Sequence, residues 1–71
     1  MYDLYFINGG FGPYLTFVNP GTGAIIACYR PTGEESWPYL RGNISTFEGS
    51  KFICKVQTIE EGKNLYPEYF I

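Results

Sequence analysis

Residues 14–29, with the sequence Tyr-Leu-Thr-Phe-Val-Asn-Pro-Gly-Thr-Gly-Ala-Ile-Ile-Ala-Cys-Tyr, decide the fold. Two apolar runs, 14–18 and 24–29, flank the Asn-Pro-Gly-Thr sequence at 19–22. Proline presets φ at the second position of a turn and glycine accepts a positive φ at the third, so this sequence predicts a type II turn. Short runs rich in aromatic and β-branched residues are typical of strands. The segment therefore predicts an antiparallel hairpin.

Strand signals continue on both sides of this hairpin. Residues 2–7 are apolar or aromatic on both faces apart from Asp3, which is typical of a central strand. Residues 51–59 alternate between apolar and polar side chains, and residues 43–47 form a weaker candidate strand. The longest connection, residues 30–41, lies between the hairpin and residues 43–47 and carries one helical signal. Thr32 and Glu35 have the spacing of a capping box, and Pro38 stops propagation, so we expect one helical turn over 34–37.

These signals predict an all-β or β-dominated fold. We expect a small, strongly bent antiparallel sheet or barrel of five to six strands with one short helical turn. Seventy-one residues make one domain, 1–71. Residues 65–71 are apolar to the last position, so they form either the last strand or an arm that lies on a neighbouring molecule. Pro67 favours an edge position in both cases.

The composition argues against catalysis and metal binding. The chain has no histidine, which removes imidazole bases, histidine-containing triads and histidine ligands. Cys28 and Cys54 each lie in an apolar run, where burial raises the pKa of a thiol and hides it. We therefore expect a protein that is not an enzyme and that binds neither a metal ion nor a cofactor.

Charge and hydropathy bear on the partners and the compartment. The net charge is −2, and the five basic residues are scattered, so no basic stripe favours a phosphate backbone. No apolar run approaches the roughly 18 residues of a membrane span. The first residues lack the basic and small-residue features of a secretory signal, so we expect a cytoplasmic protein. In that reducing compartment the two cysteines are expected to be buried thiols rather than a disulfide.

Aromatic residues are in surplus for a chain of this size. They make up 20% of the sequence, whereas a domain of about 60 residues buries only about 60% of its unfolded surface. Some of these rings should therefore contact another molecule. Trp37, Tyr39 and Arg41 are of the residue types that dominate protein interfaces. The alternative for Trp37 is that it plugs the open end of a small barrel. A second candidate set lies in the C-terminal segment and consists of Tyr66, Tyr69 and Phe70.

We therefore expect a small, non-catalytic protein-binding module that contacts a protein partner, itself as a homo-oligomer, or both. In size and style the chain resembles the small inhibitors that phages encode against host or defence proteins. That resemblance implies steric blocking of a larger target in the host cytoplasm.

Nucleic-acid binding is the alternative function. The segment 10–17, Gly-Phe-Gly-Pro-Tyr-Leu-Thr-Phe, resembles the aromatic single-strand-binding motif of RNA-recognition and cold-shock domains. The resemblance implies an OB-like barrel in which Phe11, Tyr14 and Phe17 stack on bases of a single strand or nucleotide. Lys51 and Lys55 would then lie near phosphates. Glycine replaces the basic residue of that motif and a proline precedes the aromatics, so protein binding remains the first hypothesis.

Overall fold

A four-stranded antiparallel sheet forms the centre of the molecule. The computed structural model describes residues 1–10 and 12–70. The strands are β1 (Tyr2–Gly9), β2 (Gly12–Val18), β3 (Ile25–Tyr29) and β4 (Lys51–Val56). Their order across the sheet is β3-β2-β1-β4. The β-dominated fold class, the β2–β3 hairpin and the central position of β1 are thereby confirmed.

Two short helices and two 3₁₀ turns complete the fold. They are α1 (Trp37–Leu40), a 3₁₀ turn at Ile44–Thr46, α2 (Ile59–Leu65) and a second 3₁₀ turn at Pro67–Phe70. The connection 30–50 runs from β3 to β4, which lies on the far side of β1, and so crosses one face of the sheet. Within the described residues, no helix is long and apolar enough to cross a membrane.

Both faces of the sheet carry an apolar core. We call the face covered by residues 59–70 the tail face, and the face covered by residues 37–47 the loop face. The buried side chains of the tail-face core are Leu4, Leu15, Phe17, Ala27, Tyr29, Val56 and Tyr69. The buried side chains of the loop-face core are Ile7, Tyr14, Val18, Ile25 and Cys28. Adjacent residues of a strand point to opposite faces, so strands that are apolar throughout supply both cores.

Of the two expected alternatives, a sheet or a barrel, the described part of the chain forms the sheet, and it has four strands in place of the expected five to six. Over the described residues the sheet has four strands and stays open, with β3 and β4 at its two edges. The candidate strand 43–47 is a 3₁₀ turn because Asn43 caps it. The Asn43 side chain accepts a hydrogen bond from the Ser45 amide at 3.0 Å and donates one to the Thr22 carbonyl at 2.9 Å. This side chain therefore ties the turn to the β2–β3 connection.

The C-terminal segment is not a strand. Leu65 is the last residue of α2, and Pro67–Phe70 form the second 3₁₀ turn. Ile71 lies outside the described residues. Thr58 starts α2, because its hydroxyl accepts from the Glu61 amide at 3.0 Å. The Glu61 carboxylate accepts from the Gln57 amide at 2.6 Å. The sequence that caps a helix is therefore Thr58–Glu61, and not the expected capping box of Thr32 and Glu35.

Two local turn predictions also need correction. In the β2–β3 connection the positive φ belongs to Gly23 (77°) and not to Gly21. The Asn19 side chain accepts from the Gly21 amide at 2.8 Å and thereby sets the turn. The helical turn begins at Trp37 rather than at Glu34, because Pro38 lies in its first turn. Proline suits that position since its missing N–H would be unpaired there.

The two cysteines are thiols on opposite faces of the sheet. Cys28 belongs to the loop-face core and Cys54 packs against the tail-face core. The sheet lies between them, so they cannot form a bridge within one chain.

Gly62 provides a test of how closely α2 packs on the sheet. It is buried, and a Cβ added there would overlap the ring of Phe17. We expect Gly62→Ala to lower the free energy of unfolding by about 1–3 kcal/mol, although alanine favours a helix by about 1 kcal/mol. Urea denaturation measures the change. Gly10→Ala is the control, because its Cβ would meet no atom within 4 Å. Equal unfolding midpoints for the two variants would contradict this packing.

Alkaline pH should destabilise the fold. Burial raises the pKa of the Cys28 thiol, with a smaller opposing effect from its hydrogen bond with Thr16. Burial and then the nearby Glu68 raise the pKa of Tyr69. The folded state therefore holds these protons more tightly than the unfolded state, and stability falls as pH rises above about 8.5, where an ordinary thiol ionises. Urea midpoints between pH 7 and 10.5 should decline in the wild type and decline less in Cys28→Ala. A flat profile in the wild type would refute the assignment.

Candidate functional site

The helix α1 is fixed to the edge strand β3 at both of its ends. Before the helix, the Ser36 amide donates to the Cys28 carbonyl at 2.8 Å. After the helix, the Gly42 carbonyl accepts from the Ile25 amide at 3.1 Å. Pro38 restricts the backbone between these two contacts. The helix is therefore a short, well-anchored platform along the β3 edge of the sheet.

One side of α1 packs inward. The ring of Tyr39 lies 5.0 Å from that of Tyr14 and 5.0 Å from that of Phe47, measured between centroids. Leu40 packs against both cores, which is consistent with a helix that wraps the sheet edge. Tyr39 is half-buried, so it supports the platform more than it offers surface for a partner.

The other side of α1 presents Trp37 to solvent. Trp37 is 67% exposed, and it is the only tryptophan of the chain. It does not plug a barrel end, so that alternative was wrong. Arg41 is also exposed, and its i,i+4 relation to Trp37 places both on one side of the helix. The structure thus brings together two of the three loop residues that the sequence singled out.

Charged residues flank Trp37 along the chain, and an exposed isoleucine lies on the neighbouring strand. Glu35 is exposed and lies two positions before it, while Arg41 lies four positions after it. Neither makes an ion pair within residues 1–10 and 12–70, whereas Glu34 pairs with Arg30 at 3.4 Å. Ile26, on the adjacent β3, is 44% exposed. We call Trp37, Arg41, Glu35 and Ile26 together the α1 surface.

The aromatic residues of the C-terminal segment pack on their own sheet. Tyr69 is buried, and its hydroxyl donates to the Pro13 carbonyl at 2.7 Å. Tyr66 lies 5.2 Å from Phe6, and Phe70 lies 5.2 Å from Tyr29, between ring centroids. Residues 65–70 are therefore part of the fold, and the alternative of an arm on a neighbouring molecule does not hold for them.

The residues of the nucleic-acid hypothesis do not form one surface. Tyr14 is buried in the loop-face core and Phe17 in the tail-face core, so their rings cannot stack on the same strand of bases. Lys55 pairs with Asp3 at 2.7 Å, and Lys51 is exposed opposite Phe6. Phe11 lies outside the described residues.

Two exposed apolar residues escaped the sequence reasoning because β-bulges move them. The pairing of β2 with β3 shifts between Phe17 and Val18, and Ile26 is the extra residue of that bulge. A second shift, in the β1–β4 pairing, interrupts the expected alternation of residues 51–59 and leaves Phe52 49% exposed beside Tyr5. A bulge interrupts the period of two on which a strand reading depends.

No group of three or more metal-binding side chains comes together in the described part of the chain, and no pocket forms there. No protein family model, curated protein or solved structure matches the chain. The α1 surface is the candidate site because it combines an exposed tryptophan, an exposed arginine and a fixed backbone.

Fluorescence offers a direct test of the exposure of Trp37. Since the chain has a single tryptophan, its emission reports this site alone. We expect dilute native protein to be quenched by acrylamide nearly as strongly as protein unfolded in urea. Strong protection of the indole in the native monomer would contradict the position of Trp37.

Proposed function

We propose that this chain is a small, non-catalytic protein-binding module that binds through the α1 surface. The observation that carries the proposal is the exposure of Trp37 on a helix fixed at both ends. Burying an indole removes about 150–250 Å² from water, and tryptophan and arginine are over-represented among residues that dominate binding energies. A fixed helix also loses little conformational freedom when it binds.

The distribution of the other rings supports this choice of surface. The tail face is covered by Tyr66, Tyr69 and Phe70, and Tyr39 packs between α1 and the loop-face core. The surplus of aromatic residues is therefore largely used within the fold. Among the aromatic residues that the structure describes, Trp37 has the largest exposed fraction.

The edges of the sheet favour contact through side chains over strand addition. Glu35 forms an isolated bridge with Tyr29 of β3, and Asn43 forms one with Ala24 just before β3, so part of this outer edge is occupied. At the other edge, β4 carries a bulge and two exposed lysines. Bulges and lysines are features that hinder edge-to-edge pairing. A partner at α1 would instead meet a protruding ring flanked by charges, an arrangement that suits steric blocking of a larger protein.

Affinity capture tests the proposal. Tagged wild-type chain, Trp37→Ala and Phe52→Ala are each incubated with a lysate of the source cell or its host, supplemented with untagged chain. Phe52 is the matched control, because it is an exposed aromatic at the opposite edge of the sheet. We expect at least one stoichiometric protein to be retained by the wild type and by Phe52→Ala. Trp37→Ala should retain it roughly tenfold less, or about 1.4 kcal/mol weaker.

Equal retention by all three baits, or retention of nothing by the wild type, would refute the α1 surface as a binding site. Circular dichroism of each variant establishes that the substitution has left the fold intact.

A further inference from the structure

We infer that a second copy of this chain is a partner of the α1 surface, through a two-fold contact centred on Trp37. This inference rests on the proposed function, since it names the partner of the same surface. Its basis is the arrangement of charge along residues 35–41, which matches itself after a two-fold rotation.

The two charged residues lie at similar backbone distances from Trp37, one on each side along the chain. Ser36 has an extended backbone, so Glu35 and Trp37 are separated by roughly 7 Å along the chain. Trp37 and Arg41 are four residues apart at a helical rise, or about 6 Å. An acidic residue thus precedes Trp37 and a basic residue follows it at nearly equal backbone spacing.

A two-fold axis at Trp37 reverses the direction of the second segment. Glu35 then faces the partner's Arg41, Arg41 faces the partner's Glu35, and the two indoles meet between them. Both side chains are free for this role, because neither makes an ion pair within the described residues. Two-fold contacts require the same patch to match itself, and they are the commonest form of self-association.

The opposite edge of the sheet does not match itself in this way. Around Phe52 the strand β4 carries Lys51 and Lys55 and no acidic residue, and Lys55 is already paired with Asp3 of the neighbouring strand. Two copies placed edge to edge there would bring the exposed Lys51 of each copy against a strand that offers it no carboxylate. The self-complementary pattern is therefore a property of the α1 surface and not of exposed rings in general.

The size of the surface indicates a reversible dimer. A standard interface buries about 800 Å² per partner, which is roughly a fifth of the 4283 Å² that this chain exposes. Trp37 and Ile26 are the large apolar side chains exposed on this surface, and burying one aromatic side chain removes only about 150–250 Å² from water, so the dimer should form and dissociate with concentration.

Charge reversal tests the contact. Glu35→Arg places a guanidinium opposite the partner's Arg41, and Arg41→Glu places a carboxylate opposite the partner's Glu35. Each single variant should therefore dimerise roughly tenfold or more weakly than the wild type in sedimentation experiments. The double variant E35R/R41E exchanges the two charges and should dimerise again. Glu48→Arg is the control, because it makes the same charge change at an exposed position outside the α1 surface.

Mixing the two single variants gives the sharpest result. In a 1:1 mixture the introduced arginine of one chain faces the introduced glutamate of the other, and the two unchanged residues also face each other with opposite charge. We expect a heterodimer from two proteins that are monomeric on their own. The emission of Trp37 should shift to shorter wavelength on mixing, as the indoles leave water.

A wild type that stays monomeric at millimolar concentration overturns the inference, as do single variants that dimerise like the wild type or a mixture that stays monomeric. The inference can fail while the proposed function holds. If Trp37→Ala abolishes capture of a different protein while untagged chain is not retained, the α1 surface binds proteins but not a second copy.

Discussion

The structure depends on one constraint, which is that its central strands are apolar on both faces. Leu4 and Ile7 of β1 point to opposite sides of the sheet, and both are buried. Both sides must therefore be covered within a chain of 71 residues. The connection 30–50 covers one face and residues 59–70 cover the other, so few residues remain to form a surface for anything else.

Much of the sheet could be read from the sequence, because its strands are short apolar runs between turn residues. The β2–β3 hairpin and the central position of β1 follow from residues 14–29 and 2–7. The coverings could not be read in the same way. Thr-x-x-Glu occurs at both Thr32 and Thr58, and only the second caps a helix. At the first, Gly33 has a φ of 88°, a conformation that leaves the helical path.

The candidate site was partly predictable for a related reason. Residue type identified Trp37 and Arg41, since the single tryptophan of the sequence has an arginine four residues after it. Whether a ring lies inside or outside depends on which face is covered and by what, and this is a tertiary property. Tyr66, Tyr69 and Phe70 are of the residue types found in interfaces, yet they pack on the strands of their own sheet. Local sequence does not distinguish burial within one chain from burial between two.

The late arrival of β4 has a consequence for the nascent chain. Tyr2 of β1 pairs with Val56 of β4, so this pairing spans most of the sequence, whereas β1, β2 and β3 pair between sequence neighbours. While the polypeptide is still being synthesised, β1 is an edge strand with unpaired backbone amides and apolar side chains on both faces. It lacks the lysines that shield β4. The period before β4 emerges from the ribosome is therefore when this protein is most exposed to aggregation.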